Sequence, residues 1–306
     1  LISEHLLPNF LLAKEFKGKY DWHIFVTTQR MGEKSMTARF CKSLGIDEKD
    51  VKIVVVSEDD LPDVHSKLKK ELFSEDDKYI INLTGGTKIM SIGIFTHFIT
   101  YKENADFYYI PIGVNKIEAV LTGQDLPLNY RINVGEYLAL YGLSFTSETV
   151  SKSEVADNKG ANFEVYICNR LRTELGIRDG YIFRGVKLYR QDSEQLNDNE
   201  IDVMWTAGNQ IFVGECKLSL WKAMYLDSDK KPIGNPVEYL DEIMYKLAAI
   251  SKDFGLRVNS YIFTKHRFDT KTFNESRINS IKKRMKILGI KGLFGAEELK
   301  NNKLNI

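Results

Sequence analysis

The 306-residue sequence has few cysteines, and Cys41, Cys168 and Cys216 lie far apart, each within an apolar pattern. That sparse, odd set excludes a disulfide framework and points to reduced thiols in a cytoplasm. Neither Cys-x-x-Cys spacing nor a histidine-rich tract is present, which argues against structural zinc. No apolar run is long enough for a membrane span, and no signal peptide is recognisable, so no membrane partner is expected. Net charge is also lacking: 43 Lys and Arg face 42 Asp and Glu. A general positive field is thereby excluded, and any nucleic-acid site must be a local basic groove. The chain opens at Leu1 rather than Met, so the first strand is expected to be truncated.

What is present suffices for two hydrophobic cores, with 43% hydrophobic residues and a length beyond the usual single domain. Strand and helix patterns alternate over residues 1 to about 120. Trp22–Thr27, Val51–Val56, Tyr79–Leu83 and Phe107–Ile112 read as strands. Lys34–Leu44, Leu61–Phe73 and Lys88–Tyr101 read as helices. The continuous β-branched run at Val51–Val56 predicts a parallel strand covered on both faces. This order predicts a doubly wound, Rossmann-like sheet. Lys116–Leu121 reads as a last strand and Gly123–Asn129 as an exit loop. Val134–Tyr141 reads as a bridging helix, and the polar stretch 145–160 as a linker. The domain boundaries are therefore set at 1–122, 123–158 and 159–306.

The second half is also α/β but changes rhythm. A helix at Asn162–Leu175 precedes strands at Tyr181–Tyr189, Glu200–Thr206 and Gln210–Leu218. A helix (Val237–Ser251), a strand (Asn259–Thr264) and a helix (Thr272–Leu288) follow.

Gly208-Asn209 is a favoured two-residue hairpin turn, expected here as type II′. Counting outward from it sets Asp202 directly opposite Glu215, with Lys217 on the same face and Cys216 on the other. Two opposed carboxylates are unfavourable without a cation between them, and together they are suited to a divalent metal such as magnesium or manganese. Such an ion activates water for phosphodiester hydrolysis. Lys217 then orients or deprotonates that water, or holds the phosphate. Glu164, on the preceding helix, supplies a further acid. A surface cross-strand ion pair would leave the same pattern, but Ile201, Val203, Ile211 and Val213 around the triad favour a cleft at the edge of a buried sheet.

In the first half, Thr84-Gly85-Gly86-Thr87-Lys88 leads from a strand into a helix. Two glycines permit close approach of a phosphate, and the helix N-terminus supplies N–H groups. A tight turn capped by Thr87 explains the same residues equally well. Neighbouring strand ends bring Ser3, Glu4 and His5, with Thr27, Thr28, Gln29 and Arg30, to the same rim. Neither a Walker loop nor a dinucleotide fingerprint is present.

The helix acid, the Asp and the Glu-x-Lys resemble the PD-(D/E)xK restriction-endonuclease-like superfamily, although Ile201 stands where its Pro is expected. Lys246 sits where such enzymes carry another substrate-binding residue. The Asn82–Lys88 run, with Ser3-Glu4 and Pro8-Asn9, resembles the CARF (CRISPR-associated Rossmann fold) domain. Together the halves are similar to the CARF-fused ancillary nucleases of type III CRISPR systems. That resemblance implies a homodimer binding one cyclic oligoadenylate, usually cyclic tetra-adenylate, through residues including Pro8 and Asn9. It further implies antiviral, metal-dependent cleavage of single-stranded RNA, DNA or both. A four-phosphate ring has two-fold symmetry, which an isologous pair of such loops would match. Two alternatives remain: a restriction- or repair-type DNA endonuclease without a nucleotide activator, and a ligand-responsive nucleic-acid-binding regulator.

Overall fold

The computed structural model describes all residues except 72, 75, 102, 112, 149–158, 191–199, 222–234, 253–254, 256–257, 269, 271–272, 302 and 305. The chain divides into two compact units, Leu1–Ile132 and Asn133–Ile306.

The first unit starts with α1 (Leu7–Glu15), β1 (His23–Thr27), α2 (Gln29–Glu33) and α3 (Met36–Leu44). Next come β2 (Val51–Val55), α4 (Leu61–Lys70), β3 (Tyr79–Asn82) and α5 (Lys88–Phe98). Strands β4 (Ala105–Tyr109), β5 (Lys116–Ala119) and β6 (Gln124–Pro127) complete it. Gly45, at φ 72°, ends α3 in the left-handed conformation that a residue with a Cβ adopts only at a cost. Asp60 caps α4 through the Asp63 N–H, with Pro62 tolerated in the first turn.

The expected doubly wound sheet is divided. Strands β1 and β2 form one parallel pair; β3 and β4 form another, extended antiparallel by β5 and β6. At the start of the chain the Ile2 N–H donates to the Val26 carbonyl at 2.9 Å. Leu1 lies against Gly85, just past β3, so these two residues stand between the two parallel pairs. The core joins Val26, Val54, Val64, Leu68, Met90, Ile94, Phe98 and Phe107 from both sheets and the helices between them.

Two expectations fail here for physical reasons. β2 is parallel but not covered on both faces: among the described residues it is paired with β1 alone, and Ile53 and Val55 are exposed. A β-branched run reports extended backbone and does not count the layers above it. Residues 124–127 form β6 rather than an exit loop, because backbone pairing with β5 satisfies a segment poor in apolar signal.

The second unit opens with a capping box, Asn133 and Glu136, on α6 (Val134–Leu140). It continues with β7 (Leu143–Glu148), α7 (Lys159–Leu175), β8 (Ile182–Arg190), β9 (Ile201–Ala207) and β10 (Gln210–Lys217). The remainder is α8 (Pro236–Ser251), β11 (Val258–Thr264), α9 (Glu275–Leu288), β12 (Ile290–Phe294) and α10 (Ala296–Asn301). One six-stranded sheet runs β12-β11-β10-β9-β8-β7, antiparallel from β7 to β10 and parallel from β10 to β12.

The expected linker is therefore shorter at its start: residues 143–148 pair with β8, whereas 149–158 lie outside the described residues. Phe163, Ile167, Cys168 and Leu171 of α7 pack on Val203, Trp205 and Cys216, which fills one face of the sheet. On the other face, the α8 side chain of Lys246 meets Glu215.

Candidate functional site

The β9–β10 hairpin sets the geometry of the second unit's site. Gln210 pairs with Ala207, Phe212 with Trp205 and Gly214 with Val203. One step further places Glu215 opposite Asp202, as the sequence count requires. The turn itself differs from expectation. Gly208 and Asn209 have φ values of 55° and 60°, both positive, which is a type I′ turn rather than II′. Both turn types give the same register, so the count survives.

Asp202 and Glu215 are buried, and Lys217 is partly so. The Lys217 ammonium lies 3.1 Å from Asp202 Oδ2, 2.7 Å from Glu215 Oε1 and 3.2 Å from the Cys216 carbonyl. Cys216 also donates its main-chain N–H to Asp202 Oδ2 at 2.6 Å. From α8, Lys246 Nζ bonds both Glu215 oxygens, at 2.9 and 3.1 Å, and the Glu200 carbonyl at 3.1 Å.

Glu164 of α7 bonds Arg184 of β8 at 3.2 Å. The structure thus brings Asp202, Glu215, Lys217 and Lys246 into direct contact. Glu164 joins them through its charge: burial first, then the Asp202 carboxylate, pushes its carboxyl up to about 7. Asp202 is itself pushed up to about 6 by burial and by Glu215.

Burial lowers the pKa of Lys217, but the Asp202 and Glu215 charges outweigh it and raise the ammonium above its usual range. Two carboxylates here stabilise the protonated form.

Among the described residues no three His, Cys, Asp or Glu side chains gather as a metal site. A different donor set fits one. Asp202 Oδ2, Glu215 Oε1 and the Cys216 carbonyl converge on one cation, the Lys217 ammonium. All three are hard oxygen donors of the kind magnesium and manganese accept, with water completing the shell.

The residues at the rim of the first unit are sorted by burial. Thr27, Thr28, Pro8 and Asn9 are buried. Thr28 caps α2 through the Met31 N–H. The Asn9 side chain bonds the Leu1 carbonyl and, at 2.8 Å, Asn82. Thr84 accepts from the Ile110 N–H at 2.8 Å.

Gly85 permits a close approach, but the approaching group is the chain itself. A Cβ there would lie 2.3 Å from the Leu1 carbonyl oxygen. Gly86, at φ 72°, makes the turn, and Thr87 caps α5. Glu4, Arg30, Gly86, Thr87 and Lys88 remain exposed, with Ser3 half-buried. Glu4 pairs with Arg30 at 3.3 Å and also with Lys34. The Thr87 hydroxyl donates to the Glu58 carbonyl.

Sequence reasoning missed Lys34, Glu58 and Arg184. Lys34 was legible as the residue four past Arg30. Glu58 and Arg184 carried no local signal. His266, just past β11, is buried against Phe268 and Phe273.

Residues 1–137 match the family described as the Card1 CARF domain. Can2 from Sulfobacillus thermosulfidooxidans, solved in complex with cyclic tetra-adenylate (cA4), has a TM-score of 0.70 at 19% identity. That match covers 97% of this chain and 95% of Can2. Protein VC1899 from Vibrio cholerae has a TM-score of 0.71 at 13% identity, covering 98% of this chain and 94% of that one. A type III CRISPR defence DNA nuclease activated by cyclic oligoadenylate has a TM-score of 0.59 at 16% identity. There the match covers 87% of this chain and 45% of the nuclease. At these identities the likeness is one of fold. No curated protein matches the sequence.

Proposed function

We propose that the Card1-type CARF domain of residues 1–137 binds a cyclic oligoadenylate and thereby switches a metal-dependent nuclease in the second unit. The observation that carries this reading is the convergence of Asp202, Glu215 and the Cys216 carbonyl on one cation position, filled here by the Lys217 ammonium, with Lys246 beside it. A magnesium or manganese ion held by those three oxygens would supply Lewis-acid activation of a water and charge compensation at a phosphate. Lys217, next to that position, would orient or deprotonate the water or hold a phosphate oxygen. Lys246 holds Glu215 in place, and Glu164 presents a third acid.

In the CARF domain the exposed Thr87 and Lys88 at the N-terminus of α5 are the phosphate-facing groups, with Arg30 and Ser3 on neighbouring segments. The fold likeness to Can2, whose structure contains cyclic tetra-adenylate, supports that ring as the activator. A homodimer matches the ring's symmetry. Single-stranded RNA, DNA or both are the proposed substrates, in the setting of type III CRISPR defence. No helix among the described residues is long and apolar enough to cross a membrane.

The test is cleavage of labelled single-stranded RNA, single-stranded DNA and plasmid in manganese or magnesium, with and without cyclic tetra-adenylate. Cutting that needs both ring and metal and is lost in Glu215→Ala supports the proposal. Cutting without the ring removes the sensor role. Absence of cutting with the ring still bound replaces the nuclease with a ligand-responsive regulator.

A further inference from the structure

Arg184 is a buried cation that the nuclease reading leaves without a role, at 5% exposure within β8. A guanidinium taken out of water is costly unless its donors are met by fixed acceptors. Its Nη1 lies 3.2 Å from Glu164 Oε2 and its Nη2 2.5 Å from Glu148 Oε2. The two arms of one planar fork therefore join α7, which carries Glu164, to the end of β7, which carries Glu148. An ammonium has no second arm held at a fixed angle to the first, so lysine would not reproduce the bridge.

The backbone is shaped to aim this fork. Thr146 pairs with Lys187 but Glu148 with Arg184, so β8 carries one extra residue against β7. Such a bulge bends the strand and redirects a side chain. Gly185 sits in it at φ 56°, a conformation that favours glycine. A Cβ at Gly185 would come 2.9 Å from Glu148 Cγ and 3.2 Å from Glu200 Oε1. Arg184 pairs with Val203 and Val186 with Ile201 of β9, so this bulge lies opposite Asp202.

We propose that Arg184 is a positioning residue: bridged to Glu148, it fixes the Glu164 carboxylate beside Asp202 in the orientation the metal-binding site requires. This rests on the nuclease reading above. Since the bulge faces Asp202 across β8 and β9, the Glu164 carboxylate that Arg184 holds acts on the acid pair through its charge. Arg184 acts through Glu164 and touches no reacting atom.

The experiment compares the full chain with Arg184→Lys, Glu164→Gln and the double variant, and adds Glu148→Gln. Manganese binding by calorimetry, ring-activated cleavage and thermal unfolding are measured for each. Arg184→Lys keeps the charge and loses the fork, so it should lower the maximal rate by roughly 10–100-fold, as removal of an outer-shell partner does. Its KM for nucleic acid should not change, and its manganese affinity should fall.

The double variant should be no worse than Glu164→Gln alone, because the two residues act as one unit. Additive losses, or a loss of stability with rate and manganese affinity unchanged, would overturn the proposal. Should Arg184→Lys fail to fold, the half-exposed Glu148→Gln carries the test. Its smaller loss of rate should disappear in the Glu164→Gln background, and an unchanged rate would overturn the role. A native chain that neither binds manganese nor cuts removes the nuclease reading and this inference with it. A native chain that does both, alongside an unaffected Arg184→Lys, removes this inference alone.

Discussion

The main-chain N–H of Cys216 donates to Asp202 Oδ2 at 2.6 Å, fixing the acid of β9 to the strand that carries Glu215 and Lys217. Asparagine at 202 would keep an oxygen to accept this bond while losing the charge. Asp202→Asn should therefore fold with its unfolding midpoint little changed. Its ring-activated cleavage should fall by more than the roughly 10–100-fold expected of an outer-shell partner. Matched unfolding curves and cleavage rates would check this, and a near-native rate would remove Asp202 from the site.

Glu215 is 2% exposed at its side chain and is held by two ammonium groups, of which Lys246 contributes one. Lys246→Met leaves a buried carboxylate with a single counter-charge. A destabilisation of about 1–3 kcal/mol is expected. Manganese should restore part of it by supplying the missing positive charge. Urea unfolding with and without manganese measures both effects.

Glu164 gives the metal-free second unit a pH dependence whose sign can be worked out. Its carboxyl is raised from 4.5 to about 7, mainly by burial. Between those values the folded chain binds a proton that the unfolded chain has released. Stability therefore falls as pH rises through that window, with a slope of at most about 1.4 kcal/mol per pH unit for one proton. Glu164→Gln should flatten the slope. Denaturant titrations in chelator across the window provide the measurement, and an unchanged slope would assign the dependence to other groups.

Gly85 faces the Leu1 carbonyl so closely that a Cβ would lie 2.3 Å away. Gly85→Ala should destabilise the first unit by about 1–3 kcal/mol through overpacking. Hydrogen exchange should show the loss in residues 1–132 and not in the β9–β10 hairpin. A fully stable variant would mean that the start of the chain moves aside without cost.

The sequence alone determined the hairpin register. Side chains alternate with period two, and one glycine-asparagine turn fixes the count, so Asp202 had to face Glu215 and Lys217 had to join them. It also determined the alternation of strands and helices in the first half, because this depends on neighbours a few residues apart. Tertiary structure alone decided which strands share a sheet, and hence that β2 stays open on one face and that residues 143–148 complete the second sheet. It decided that Gly85 meets the chain's own backbone and that Lys246 reaches Glu215. It also brought Arg184 between Glu148 and Glu164, a bridge set by a bulge across β7 and β8. These contacts span distant segments, and no local period or propensity records where a strand, once formed, will find its partner.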